Sequence, residues 1–332
     1  MSEPEASDPG AVRPALISTA LTELADIRYP VVQAAMGYVS GPRLAAAASN
    51  AGALGLIASA TMSLAELDQA IEETAGRTAA PFGVNLRADA LDAAERVRKI
   101  IARRVPVASF AQAPKPELIA ELKDAGVVTI ASVGARRHAE KVAAWGVDAI
   151  IATGGEGGGH VGAAPTSLLI PQVTAAVDIP VIAAGGCFDG RGLVAALAWG
   201  AAGIAMGTRF LLTRDSPVPD AVKQLYLAAG LDGTVVTRQV DGAPLRVLRT
   251  TMVDHLEEAG AGAAGPDAPL GADQIGELLR AAMVDGRTDL GLMSSGQVAG
   301  LIGDLPSCAE LIQGIMAEAG RCLDRLDEAR KA

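Results

Sequence analysis

Eight short, β-rich apolar runs recur along the chain, alternating with Ala-rich stretches of helical periodicity. The runs are Pro30–Gln33, Leu54–Ala58, Phe82–Leu86, Val105–Phe110, Val127–Ser132, Ala149–Ala152, Pro180–Ala184 and Gly203–Met206. Helices are predicted between them over Pro42–Ala51, Leu64–Thr74, Ala90–Arg104, Pro116–Ala125, Ala135–Trp145, Ser167–Val177 and Arg191–Trp199. Several runs are continuously apolar, as strands buried on both faces of a parallel sheet must be. Their starts lie about 20–30 residues apart, the size of one βα unit. Eight such units predict an α/β protein of the (β/α)8, or TIM-barrel, class. A doubly wound open sheet also alternates strand and helix, but a count that reaches eight without a gap favours the closed form.

The alternation stops after the eighth run. Residues 216–289 combine helix-like pieces, a β-like run at Thr234–Val240 and an Ala/Gly/Pro-rich link at Gly260–Gly271, which predicts a smaller, mostly helical unit. The reading assigns 16–215 and 290–332 to the barrel, with Pro306–Arg330 as its closing helix, and 216–289 to a substrate-capping unit. Residues 1–15 are acidic and contain proline, without a basic or strongly apolar segment, and read as a disordered tail.

Charge and cysteine usage exclude several classes of function. Twenty-eight Lys and Arg stand against 38 Asp and Glu, a net charge of −10, so the basic face that nucleic acid needs is not expected. The charge-free stretch Leu44–Ala65 reaches the roughly 20 residues of a membrane span, but Ser49, Asn50, Gly52, Gly55, Ser59, Thr61 and Ser63 interrupt it. A cytoplasmic enzyme of small molecules, without a membrane or nucleic-acid partner, is expected; a homodimer is compatible with the sequence. Cys187, Cys308 and Cys322 form no CxxC pair, and His138, His160 and His255 lie far from one another, so neither a disulfide framework nor a metal site is expected.

In a barrel of this class the chemistry lies at the carboxyl ends of the strands. After the first strand come Ala34, Ala35, Met36 and Gly37, small enough for a flat ligand to approach the backbone, with Met36 able to lie along an aromatic face. A tight turn needing small residues explains them equally well. Asn85 ends the third run and could bond the edge of a heterocycle or cap a turn. After the sixth run, Thr153 to Gly162 contains six glycines in ten residues, Gly158 among them, together with His160. Residues 157–162 formally match GxGxxG, but a dinucleotide fingerprint belongs in the first βα turn, with an acidic residue about 20 positions on. Neither condition holds. A loop that wraps a ligand with backbone amides and delivers one imidazole fits better, and His160 is the acid/base candidate.

Gly185 and Gly186 follow the seventh run, with Asp189 to Arg191 opening a helix; Gly207 and Thr208 follow Met206 at the end of the eighth. Adjacent glycine-bearing loops at these positions are where many barrels hold a phosphate, on backbone N–H groups and a helix N-terminus. A phosphate cradle opposite a lone imidazole suits a phosphorylated heterocycle, and FMN fits that description, the flavin carrying the redox step.

These motifs, in this order, resemble the nitronate monooxygenase superfamily, which includes flavin-type enoyl-acyl carrier protein reductases. The resembling pieces are Pro30–Met36, Asn50–Gly55, Phe82–Asn85, Glu156–Gly162, Pro180–Gly186, Asp189–Arg191, Met206–Phe210 and Ser295–Leu301. The resemblance implies an FMN-containing barrel with His160 in the active site. It also implies phosphate at Gly185, Gly186, Gly207 and Thr208, and contacts to the isoalloxazine from Asn85 and position 153. The family usually carries Gln or Glu at that position and Ala at position 157; this chain has Thr153 and Gly157. Within the superfamily the chain is more similar to the branch that steroid-degrading bacteria use on ring-derived acyl-CoA thioesters. That likeness is carried by Val107–Ala111, Val218–Val222, Gly230–Thr237, Asp241, Gly242 and Arg246–Thr250.

The function that follows is an FMN-dependent oxidoreductase removing a proton and electrons from an activated carbon, in a nitronate or an acyl-CoA-type substrate. NAD(P)H or O2 would serve as redox co-substrate. Ser295 and Gln297 are candidates to reach flavin or substrate from the closing segment, and a turn before the final helix explains them almost as well. The alternatives are a flavin-dependent enoyl-thioester reductase, a non-redox barrel for a phosphorylated metabolite, and a binding protein that keeps the fold without the chemistry. The second needs a Schiff-base Lys or a carboxylate pair at strand ends, and neither is evident.

Overall fold

Eight parallel strands close on themselves through β1, which pairs with the second strand on one side and with the last on the other. In the computed structural model, which describes residues 17–261 and 270–331, the strands in chain order begin with β1 (Val31–Gln33), β2 (Leu54–Ala58), β3 (Phe82–Arg87), β4 (Val107–Ala111) and β5 (Val128–Val133). They continue with β6 (Ala149–Thr153), β7 (Gly159–His160), β8 (Val181–Ala184), β9 (Gly203–Met206), β10 (Thr234–Thr237) and β11 (Leu245–Leu248). The barrel order is β1-β2-β3-β4-β5-β6-β8-β9, closed by the register Val31 to Ile204 and Gln33 to Met206. All eight predicted runs are barrel strands, shifted by at most a few residues. The expected disordered tail lies outside the described residues, as does most of the Gly260–Gly271 link.

Strand and helix packing leave one end of the barrel open. At the amino end, helix Ala20–Ala25 buries Leu21 and Ala25 in one apolar cluster with Val32, Leu54 and Ala205. The Thr19 hydroxyl donates to the carbonyl of Ala202 at 2.6 Å, just before β9. The last helix, Cys308–Lys331, packs against helices Gly190–Ala198 and Pro42–Asn50 and so completes the outer ring. With the amino end plugged, a ligand must enter at the carboxyl end.

The segment after β9 builds over that open end. It contributes helices Asp220–Ala228, Thr251–Ala261 and Ala272–Met283 and the antiparallel pair β10–β11. The β-like run expected at Thr234–Val240 is β10; β11 and β7 were not anticipated. β7 belongs to the glycine loop after β6, yet it pairs with β11 and not with the barrel. Val240, Leu245, Val247, Val253 and Leu292 form the core of this overlay. Tyr226 is fully buried and donates its hydroxyl to the carbonyl of Ser294 at 2.7 Å. Among the described residues no helix is long and apolar enough to cross a membrane.

Candidate active site

A cavity of about 440 Å³ opens at the carboxyl ends of the strands, between the barrel and its overlay. Ala35 and Met36 after β1, Asn85 in β3 and Thr153 at the end of β6 line it, together with Gly158 and His160 of the glycine loop. Gly185 and Gly186 after β8 and Met206, Gly207 and Thr208 at β9 complete this wall. Five barrel strands and the turns that follow them thus bring these sequence-selected residues to one space.

The floor is polar because of strand register. Asn85 pairs with Ser109 across β3 and β4, and its amide donates to the Ser109 hydroxyl at 3.3 Å. Ser109, Ser132 and Thr153 continue the polar edge on β4, β5 and β6. Alternation along β4 sends the intervening Phe110 into the helix layer, where it is fully buried. Ser109 and Ser132 lie within their strands and not in the turns that follow, so the turns alone do not reveal them; the signal available was a small polar residue one or two places before a strand end.

The turns after β8 and β9 form the amide-lined side of the cavity. Gly185 and Gly186 have φ of +92° and +75°, conformations that favour glycine. The N–H groups of Gly185, Gly186 and Gly207 find no acceptor among the described residues. A Cβ on Gly186 would enter open space, with the nearest atom, Glu156 Cβ, 3.8 Å away. These unpaired donors around an open pocket fit a phosphate. The N-terminus of helix Gly190–Ala198 does not take part: Asp189 accepts from Gly192 N and Glu318 from Gly190 N, both at 2.8 Å. Two carboxylates already satisfy that end.

The opposite wall is largely apolar, with Asp241 and Ser294 its polar side chains. Val240, Leu245, Ile275, Leu279, Met283 and Leu292 descend from the overlay onto the cavity. None carries a motif, and each is placed there by tertiary packing.

His160 stands at the junction of floor and overlay. It pairs with Leu245 of β11, and the neighbouring Val161 N–H donates to Pro244 O at 3.1 Å. Its Nε2 lies 2.6 Å from Asp241 Oδ2, in the turn between β10 and β11. His138 and His255 do not line the cavity. Asp241 was part of a family likeness in the sequence, but nothing local marks it as a partner of a histidine 81 positions away.

A second cavity of about 550 Å³ lies behind the glycine loop, lined by Gly155, Glu156, Arg238, Arg246, Glu257 and Gln297 among others. Arg246 donates from Nε to Gly155 O at 2.9 Å and from Nη1 to the Thr234 hydroxyl at 3.0 Å. Burial pulls its guanidinium below the usual arginine range. Gln297 therefore faces this space and not the main cavity. Ser295 lines neither; it is buried, and its hydroxyl donates to Gly296 O at 3.1 Å.

The nitronate monooxygenase family model matches residues 18–318. The chain belongs to the nitronate monooxygenase family. As a member of that family it is an oxidoreductase, and its relatives narrow the kinship. It is 52% identical to a (3aS,4S,5R,7aS)-5-hydroxy-7a-methyl-1-oxo-octahydro-1H-indene-4-carboxyl-CoA dehydrogenase of Rhodococcus jostii (strain RHA1), over 95% of this chain and 99% of that one. The enzyme of the same name from Mycobacterium tuberculosis (strain ATCC 25618 / H37Rv) is 54% identical over 91% of this chain and 96% of its own. Among solved structures, FabK from Thermotoga maritima matches with a TM-score of 0.89 at 36% identity, covering 94% of this chain and 99% of that one. Within the family, then, this chain has both acyl-CoA dehydrogenase relatives and a FabK-like barrel.

Proposed function

We propose that this oxidoreductase is an FMN-dependent dehydrogenase of an apolar, ring-bearing acyl-CoA thioester, with His160 as its acid/base group. The observation that carries the reading is the two-sided cavity: a polar, glycine-lined floor facing an apolar roof, with one imidazole between them. The floor suits a flavin. Gly185, Gly186, Gly207 and Thr208 would hold its phosphate, while Ala35, Met36, Asn85, Thr153 and Gly158 would border the ring system. Bound FMN supplies an acceptor for two electrons.

The roof suits a hydrocarbon skeleton. Val240, Leu245, Ile275, Leu279, Met283 and Leu292 offer it no hydrogen-bonding side chain, so a polar substrate body would lose its water without compensation. The carbon beside a thioester carbonyl is acidic enough for an imidazole to remove its proton. The overlay holds the skeleton against the floor and excludes water, and in this reading residues 216–289 are the substrate-capping unit. The relatives named as indene-carboxyl-CoA dehydrogenases support this substrate class.

The test is the visible spectrum of the purified protein under anaerobic conditions. The indene-carboxyl-CoA ester named for the relatives should bleach the flavin. His160→Ala should keep the flavin bands but bleach about 10²- to 10⁴-fold more slowly. A folded protein that is colourless and refuses FMN would sink the proposal. So would bleaching by a simple nitronate and not by the thioester.

A further inference from the structure

We infer that Asp241 is a positioning residue that selects the reactive tautomer of His160, leaving Nδ1 as the nitrogen that takes the substrate proton. The inference rests on the acid/base assignment of His160 and adds to it which atom acts and what holds it there.

The two residues are 81 positions apart and meet because one hairpin holds both. β11 pairs with β7, so the backbone of His160 is registered opposite Leu245. The turn between β10 and β11 then places Asp241 Oδ2 2.6 Å from His160 Nε2. The other carboxylate oxygen, Oδ1, accepts from Ala243 N at 3.0 Å and closes an Asx turn. Gly242, at φ +82°, completes that turn. Asp241 therefore has a divided task, with one oxygen on its own backbone and one on the imidazole.

A carboxylate only accepts, so next to a neutral imidazole it selects the Nε2–H form and leaves the lone pair on Nδ1. No hydrogen-bond partner of Nδ1 occurs among the described residues. When Nδ1 takes the proton from the substrate carbon, the electron pair of that C–H bond stays on carbon. The imidazolium so formed has its positive charge beside the Asp241 carboxylate. The His160 side chain is 62% exposed, so water competes with the carboxylate and the effect is smaller than in a sealed dyad.

Asn in place of Asp separates this role from a plain turn residue. Its Oδ1 can keep the bond from Ala243, but its amide then presents a donor to Nε2. Asp241→Asn should thus keep the turn and invert the tautomer. Histidine-selective 15N labelling and long-range proton–nitrogen NMR of the holoenzyme read the tautomer directly, and His160→Gln identifies the His160 signals among the three histidines. The wild type should show Nε2–H, and Asp241→Asn should show Nδ1–H. In Asp241→Asn, kcat for the thioester should fall by about 10- to 100-fold while KM and retained FMN change little. Asp241→Ala, which removes both bonds, should give mixed tautomers. A wild-type His160 in the Nδ1–H form overturns the inference, and that measurement needs no variant to fold beyond the one used for assignment. Unchanged tautomer and unchanged kcat in Asp241→Asn overturn it as well. Full turnover in His160→Ala would instead defeat the acid/base assignment, whatever the tautomer.

Discussion

The carboxylate of Glu156 takes both the backbone N–H of Thr166, at 2.9 Å, and its hydroxyl, at 2.8 Å. Thr166 is the first residue of helix Thr166–Thr174 and follows Pro165, so a side chain from the glycine loop caps a helix that its own flanking residues do not. The Thr166 hydroxyl also lies 3.0 Å from Gly185 O. One threonine thereby joins the loop that presents His160 to the turn with the unpaired amides. Glu156→Ala should cost about 1 kcal/mol of stability, the usual value of a lost cap. It should weaken FMN retention as well, because loop and turn lose their common anchor. A thermal melt and a flavin titration check both, and unchanged flavin affinity would show that the two segments are independent.

Gly185 and Gly186 are adjacent but should respond differently to a methyl group. At Gly185 a Cβ would lie 3.0 Å from Thr166 Oγ1 and 3.1 Å from Gly154 O and Gly157 N, with φ +92°. At Gly186 only the backbone conformation is unfavourable, at about 1–2 kcal/mol. Gly185→Ala should therefore lower the melting temperature more than Gly186→Ala. Gly186→Ala should instead weaken FMN binding by about tenfold or more, since its methyl group would stand where the phosphate is expected. Wild-type affinity in Gly186→Ala would place the phosphate elsewhere.

The apolar roof should control substrate affinity more than turnover. Leu279→Ala removes part of that wall without touching His160 or the glycine turns. An increase in KM of about tenfold, with kcat changed by less than about twofold, is expected from the lost apolar contact. A fall in kcat at constant KM would mean that Leu279 acts in the transition state and not in binding.

Thiol chemistry should distinguish the three cysteines. Burial pushes the Cys187 thiol up to about 12, with the negative charges of Glu156 and Asp189 adding to it. Burial does the same to Cys308, also to about 12, with Asp215 next in effect. Both stay protonated at pH 8, so a thiol reagent should modify Cys322 alone in the native protein and all three after denaturation. The linkage has a defined sign. The unfolded thiols lose their protons near the ordinary cysteine value of 9.0 and the folded ones do not, so the unfolded state binds fewer protons between pH 9.0 and about 12. Stability should fall as pH rises through that window, as denaturant melts at pH 8 and pH 10 would show.

The barrel was legible in the sequence because its signals are local. A parallel strand buried on both faces is a continuous apolar run, and a glycine turn after it marks the carboxyl end where ligands bind. Position along the chain therefore located Asn85, Thr153, His160, Gly185, Gly186, Gly207 and Thr208, all of which line one cavity. Ser295 and Gln297 belong to the closing segment and follow no barrel strand; the structure sends one into the interior and the other to the cavity behind the glycine loop.

What only the tertiary structure decided is how that loop is held and what covers it. A strand of two residues, Gly159–His160, has no period to read; it exists because β11 supplies its hydrogen bonds. Asp241 meets His160 through that pairing, and the apolar roof forms through the packing of distant helices, so neither leaves a local trace. Strand order and ligand-facing turns are properties of neighbouring residues, and the alternating pattern determines them. The partner of the imidazole and the face shown to the substrate depend on contacts between remote segments, which exist only in the folded chain.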